Sequence, residues 1–242
     1  MDSFAMEQLK LLFTQQSLHY QILQGKSVVE ENRFIKEEEA SKDFFESYLE
    51  KILEKPFRSI EVYSAFNHFS LMPEGFKEHE LGGTLIQYNA SLDESKEELM
   101  LSINPKFEVQ FYYTFPKSLY QLLKQGKRPS RFDFSGSKFL SKISPKKDKE
   151  VHIHLLNEQC EFFVFEKRKV KLYNHLDLHS EVDFLYFILF TLSKLDFPLR
   201  DTRFHIYGAT AENETFISEL NKFASHLKIQ YDNIPKKNFI LN

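Results

Sequence analysis

VHIHLLNEQCEFFVFEKRKVKLYNHLDLHSEVDFLYFILFTLSKLDFPLRDTRFHIYGA, residues 151–209, is the stretch whose reading decides the fold. Val151, Ile153 and Leu155 alternate with His152 and His154, the period of a strand with two different faces. Residues 160–165 and 170–176 read as two more strands, joined by the charged turn 166–169. Ser180 stands where a helix starts, and Pro198 lies just beyond its end near Leu195. That helix is apolar almost all round (Phe184, Leu185, Phe187, Ile188, Leu189, Phe190, Leu192), which predicts burial. Residues 204–207 form a strand ending at Gly208. Phe216, Ile217, Leu220, Phe223, Ala224 and Leu227 mark an amphipathic helix, and 228–231 a last short strand.

Working outward, the first half repeats this order. Leu18, Tyr20 and Ile22 lead to a tight turn at Gly25-Lys26, and Val28-Val29 and Phe34-Ile35 return, so 18–35 reads as a hairpin. Residues 4–13 fit either a short helix or a strand. Ser41 reads as the N-cap of a helix with an apolar stripe at Phe44, Phe45, Tyr48, Leu49, Ile52 and Leu53, ended by Pro56. Residues 60–66 read as a strand. Asp43-Phe44-Phe45 with Pro56 is answered by Asp183-Phe184-Leu185 with Pro198, about 140 residues on, a spacing that marks an internal duplication. Between the halves lie a short helix within 73–88, a polar loop 89–98 and strands 99–103 and 107–115. A helix starting at Pro116, a strand at Phe132 and Phe134, a helix over 138–143 and a solvated linker 144–150 follow. The expected division is 1–144, a first lobe carrying a bridging strand–helix segment, and 145–242, a second lobe. Strands alternating with helices imply an α/β fold.

A β-β-β-α-β-α-β unit used twice is similar to the duplicated ribonuclease-H-like units of the two-lobed actin-like ATPase fold. The stretch HSEVDFLYFILFTLSKLDFPLRDTRFHIYGA (179–209) resembles an uncharacterised bacterial family, the domain of unknown function numbered 3822. FSLMPEGF (69–76) and YYTFPKSLYQLL (112–123) fit it too, and the resemblance runs from about Leu18 to about Ile234. Residues 109–143 also resemble the strand–helix–strand–helix bridge of actin-like pilus-assembly and cell-division proteins.

The resemblance implies three loops for ATP: two hairpin turns around the phosphates, with an Asp on the strand and Gly plus Ser or Thr in the turn, and a Gly-Gly turn against the adenosine. The counterparts here are Gly25, Lys26 and Ser27; Asn157 and Glu158; and Gly208 and Ala209. The first has no Asp before it. The second has neither Gly nor Asp, and the third has one glycine of the pair. With 7 glycines in 242 residues and only Gly82-Gly83 adjacent, no glycine-rich phosphate cradle is present. Gly25-Lys26-Ser27 resembles the end of a P-loop, but Tyr20 stands where the first glycine belongs and strand follows where a helix should.

No other motif defines a chemistry. His152 and His154 share one strand face, as in some zinc sites, with His175, Asp177 and His179 nearby in sequence, but a metal needs a third protein ligand and a defined second shell, so no metal site is expected and the pair reads as the polar face of a half-buried strand. Cys160 sits in an apolar strand and reads as inert packing. As the sole cysteine, it fits a reducing, cytoplasmic setting. No apolar run approaches the roughly 20 residues of a membrane span. The net charge of −3 is uneven: residues 1–100 carry −9 and residues 101–242 carry +6, with the basic excess between Lys106 and Lys171. The leading expectation is a non-catalytic interaction or scaffold protein with a degenerate nucleotide cleft and an unidentified protein partner, needing no cofactor. The alternatives are an ATP-binding actin-like ATPase with unusual phosphate loops, and an accessory factor that touches RNA or an acidic protein through the basic region.

Overall fold

The computed structural model describes residues 7–242 except 38, 76–78, 89, 126, 127, 158, 178 and 179. The chain separates into two compact units, Met1–Ser141 with Leu241, and Lys142–Ile240 with Asn242.

In the first unit, β1 (Gln8–Phe13), β2 (Ser17–Gln24) and β3 (Ser27–Ile35) form an antiparallel meander. The expected hairpin is therefore two thirds of a three-stranded unit, and the ambiguous segment before it is a strand. α1 (Phe44–Leu53) follows, then β4 (Ser59–Ser64), parallel to β1. Ser41 does not cap α1 with its side chain. The helix starts after Asp43 without a side-chain cap, and Ser41 contributes only its carbonyl, 3.2 Å from the Phe44 amide. After β4 the chain makes an excursion through β5 (Phe69–Pro73), α2 (His79–Gln87), β6 (Glu97–Asn104) and β7 (Val109–Pro116), whose strands form a separate sheet of order β5-β7-β6. It returns through α3 (Lys117–Gln125) to β8 (Ser130–Phe134), parallel to β4, and leaves through α4 (Ser135–Lys142).

The second unit runs β9 (Lys149–Leu156), β10 (Gln159–Glu166), β11 (Lys169–Asp177), α5 (Glu181–Lys194), β12 (Arg203–Gly208), a 3-10 turn at Ala211–Asn213, α6 (Glu214–Phe223) and β13 (His226–Asp232). The two large sheets have the orders β3-β2-β1-β4-β8 and β11-β10-β9-β12-β13. Strand for strand, the antiparallel and parallel pairings agree, so the duplication inferred from sequence extends to the sheet topology.

Each sheet buries one face under helices. In the first unit Leu9, Leu11, Ile22, Ile60 and Val62 pack with Phe45, Leu49 and Ile52 of α1 and Leu119 and Leu123 of α3. In the second, Val151, Ile153, Phe162, Phe204 and Ile206 pack with Phe184, Ile188 and Leu192 of α5 and Phe216 and Leu220 of α6. Period 2 along the strands and a 3.6-residue period along the helices place these side chains on facing surfaces.

Two sequence expectations fail here. α5 is not buried all round: Phe184, Ile188 and Leu192 are covered, while Tyr186, Phe187 and Phe190 are 59%, 49% and 45% exposed. One stripe suffices to close this core, so apolar composition on the other sides does not produce burial. The segment 144–150 is also not wholly a solvated linker. Glu150 belongs to β9 and is 3% exposed. Gly82 serves packing: a Cβ there would lie 2.2 Å from Cδ1 of the buried Tyr112 ring.

Candidate functional site

The turn between β2 and β3 consists of Gly25 and Lys26, with Gln24 paired to Ser27 across it. Gly25 has φ +63, which the tight reversal needs, and Gly25, Lys26 and Ser27 are all exposed. The strand leading into it ends in Leu23-Gln24 and supplies no carboxylate. In the second unit Asn157 opens the β9–β10 turn at φ +23, after Leu155-Leu156, and Glu158 lies outside the described residues.

Gly208 ends β12 at φ +97, in register with Leu155. The structure thus brings Asn157, Gly208 and Ala209 to one end of the second sheet, while Gly25, Lys26 and Ser27 form their own turn in the first unit. The loop's polar groups are already engaged. The Ala209 amide donates to the Leu155 carbonyl at 3.0 Å, the Thr210 amide to the Gly208 carbonyl at 2.9 Å, and the Thr210 hydroxyl to Asp232 Oδ1 at 2.6 Å. Beside it lies a cavity of about 560 Å³ lined by Thr210, Glu214, Ile217, Asn221, Leu227 and Asp232 among others. Glu214 and Asp232 give it an acidic character.

The face of the second sheet opposite α5 and α6 carries a buried polar layer. His152 and His154 do share it, but they are fully buried (3% and 0% exposed) and belong to different clusters. In one, Glu161 accepts from the Tyr173 hydroxyl at 2.7 Å and bonds His154 Nδ1 at 2.7 Å, with His175 opposite on β11. Burial pushes the Glu161 carboxyl up, but the His154 and Tyr173 hydrogen bonds and the nearby imidazoles outweigh it and hold the group below its ordinary range. Burial drives His175 down, against the pull of Glu161 and Asp177.

In the other cluster His152 bonds Glu150 Oε2 through Nε2 at 3.1 Å and the Tyr207 hydroxyl through Nδ1 at 3.0 Å. Glu150 also accepts from the Lys146 and Lys147 amides, the latter at 2.8 Å. Burial raises the Glu150 carboxyl, yet these donors more than offset it. His205, opposite His152 on β12, is lowered to about 4, by burial first and by the His152 imidazole second. Its Nδ1 lies 2.7 Å from Gln230 Nε2.

Glu150, His205 and Glu161 were not singled out in the sequence. The available signal was period 2: Glu150, His152 and His154 alternate along β9, and His205 and Tyr207 along β12. Cys160 is fully buried, with its thiol pushed well above the ordinary value by that burial. No helix among the described residues is long and apolar enough to cross a membrane.

Two mixed sheets of identical wiring, each a β-β-β-α-β-α-β unit, define a protein with the actin-like ATPase fold. The chain belongs to the family described as Protein of unknown function (DUF3822), whose model matches residues 2–227. A solved structure from Bacteroides thetaiotaomicron VPI-5482, described as a protein with an actin-like ATPase fold and unknown function, is similar at a TM-score of 0.80 and 19% identity, over 98% of this chain and 96% of that one. The PilM-PilN type IV pilus biogenesis complex contains a chain similar at a TM-score of 0.59 and 9% identity, over 95% and 88%. The cytoplasmic domain of EpsL, an inner membrane component of the Vibrio cholerae type II secretion system, is similar at 0.50 and 10%, over 94% and 90%. Among curated proteins, none matches this chain in sequence.

Proposed function

We propose that this chain is a cytoplasmic, non-catalytic interaction protein that keeps the actin-like ATPase fold without its Mg-ATP chemistry. The observation that carries this reading is the chemistry of the strand ends. Leu23-Gln24 and Leu155-Leu156 stand where the fold expects an Asp to organise Mg²⁺, and neither pair offers a carboxylate. The internal engagement of the Ala209 amide and the acidic cavity beside it point the same way. The exposed aromatic face of α5, where Tyr186 stacks on Phe190 at 5.7 Å, supports a protein partner. So does the occurrence of this fold in a pilus biogenesis complex.

The basic region has less support as an RNA or acidic-protein surface. Lys142 donates to the carbonyls of Phe239 and Asn242, Lys149 to that of Asp196, and Lys171 pairs with Glu166 at 3.0 Å. Thermal unfolding with millimolar Mg-ATP tests the reading. A ligand at ten times its Kd raises stability by about 1.4 kcal/mol. No upward shift is expected, and a saturable one overturns the proposal.

A further inference from the structure

We propose that Glu150, His152 and His205 form a binding site for one divalent transition-metal ion of the zinc class. One ligand atom from each of these residues lies within 4.8 Å of the others. The register of the sheet creates the cluster. Glu150 and His152 are two apart on β9 and so share a face, and the parallel β9–β12 ladder sets His205 directly opposite His152. Glu150 Oε2 lies 3.1 Å from His152 Nε2, and Oε1 lies 3.8 Å from His205 Nε2. Tetrahedral zinc, with bonds of about 2.1 Å, needs neighbouring ligand atoms about 3.4 Å apart. Side-chain rotations of about an ångström and a half or less bring the three atoms to that spacing.

The surroundings are those of a ligand set. Among the described residues, His205 Nε2 is buried with no hydrogen-bond partner. The Lys146 and Lys147 amides fix the Glu150 carboxylate. Tyr207 holds Nδ1 of His152, and Gln230 holds Nδ1 of His205. A hydroxyl and a carboxamide each accept as readily as they donate. Without metal, His152 Nε2 donates to the Glu150 carboxylate and the Gln230 amide donates to His205 Nδ1; metal binding moves each ring proton to Nδ1, where the Tyr207 hydroxyl and, after its carboxamide turns over, Gln230 Oε1 accept it. Two imidazoles and one carboxylate select zinc, cobalt or nickel over magnesium or calcium, which prefer all-oxygen shells. His205, whose side chain is 18% exposed, marks the side from which an ion enters and a fourth, water, ligand completes the shell.

The test is equilibrium dialysis of the chelator-treated full chain against micromolar Zn²⁺, with the visible ligand-field spectrum of Co²⁺ as a second readout. About one ion per chain is expected, with at least tenfold weaker binding in His205→Ala and in Glu150→Gln, and no change in His19→Gln or His68→Gln. Tyr207→Phe, which removes only the outer hydroxyl, weakens binding about tenfold and shifts the Co²⁺ spectrum. No uptake by the wild-type chain, or uptake unaltered in His205→Ala, overturns the site. If His205→Ala does not fold, unchanged affinity and spectrum in Tyr207→Phe overturn it instead.

Discussion

His205 stands directly across the β9–β12 ladder from His152, the two rings 4.6 Å apart and inclined by 27°. The same ladder position in the first unit holds Lys10 and Glu61, with Nζ and Oε2 3.9 Å apart. The two units share a backbone solution but spend it differently. Lys10 and Glu61 carry opposite charges and compensate each other. Two imidazoles do not, and they depend on Glu150, Tyr207 and Gln230 around them.

Gly208→Ala should cost at least about 2 kcal/mol in urea denaturation, because a side chain there meets both a left-handed backbone and backbone atoms. The added Cβ lies 2.4 Å from the Leu155 carbonyl oxygen and 2.7 Å from the His154 ring. Gly25→Ala faces open space at φ +63 and should cost only about 1 kcal/mol. Equal costs would contradict this account of the two turns.

Gly82→Ala should destabilise by about 1–3 kcal/mol, since Tyr112 is buried and must yield to the new methyl. Gly83→Ala meets only ordinary contacts, the nearest Leu92 at 3.6 Å, and should be neutral or slightly stabilising for the helix. Chemical denaturation of the pair separates a packing role from a flexible one.

On α5, Ile188→Ala should cost about 2–5 kcal/mol, whereas Tyr186→Ser and Phe190→Ser should each stay near 0.5 kcal/mol. Loss of folding in the two serine variants would mean that this face is core.

Stability should fall as pH drops below about 6.5, the ordinary value of the His175 imidazole. Burial depresses its folded-state value, so the unfolded chain binds the proton more readily. The stabilising difference is complete above 6.5 and is lost as the pH falls toward the depressed value. The groups facing it are Glu161 on β10, His154 on β9 and Asp177 on its own strand. His175→Gln should flatten the slope below pH 6.5 in calorimetric scans. An unchanged slope would exclude His175 as its source.

Cys160 should resist thiol reagents in the native protein and react once per chain after denaturation, because it is wholly buried and its thiol is held in the protonated form. A colorimetric thiol titration, with and without denaturant, reads both states.

Much of the architecture was legible in the sequence because period 2 in 151–176 and the paired proline-ended helices are strong local signals. β1 was ambiguous because QLKLLF is short and its last three residues are all buried, leaving little periodicity to separate strand from helix. β5 was missed because FSLMP pairs only with β7, at the edge of a small sheet. The solvent face of α5 was misread because composition does not say which side a neighbour covers. At the candidate site, the turns at Gly25, Asn157 and Gly208 were readable from glycine and spacing. The Glu150–His152–His205 cluster was not, since a cross-strand partner 53 residues away becomes a neighbour only through sheet register.

The excursion between β4 and β8 has a kinetic consequence. To seat β8 beside β4 the chain must close a loop of about 65 residues, whereas β13 joins β12 across about 17. The entropic difference is about 1.2 kcal/mol, and it falls on the assembly of the first sheet. The unit synthesised first is therefore the slower to complete its last pairing, and β4 waits with an open edge until residue 134 has been made. Over that interval the β5–β7 sheet, whose pairings are all antiparallel and closer in sequence, is the part of the excursion able to form by itself.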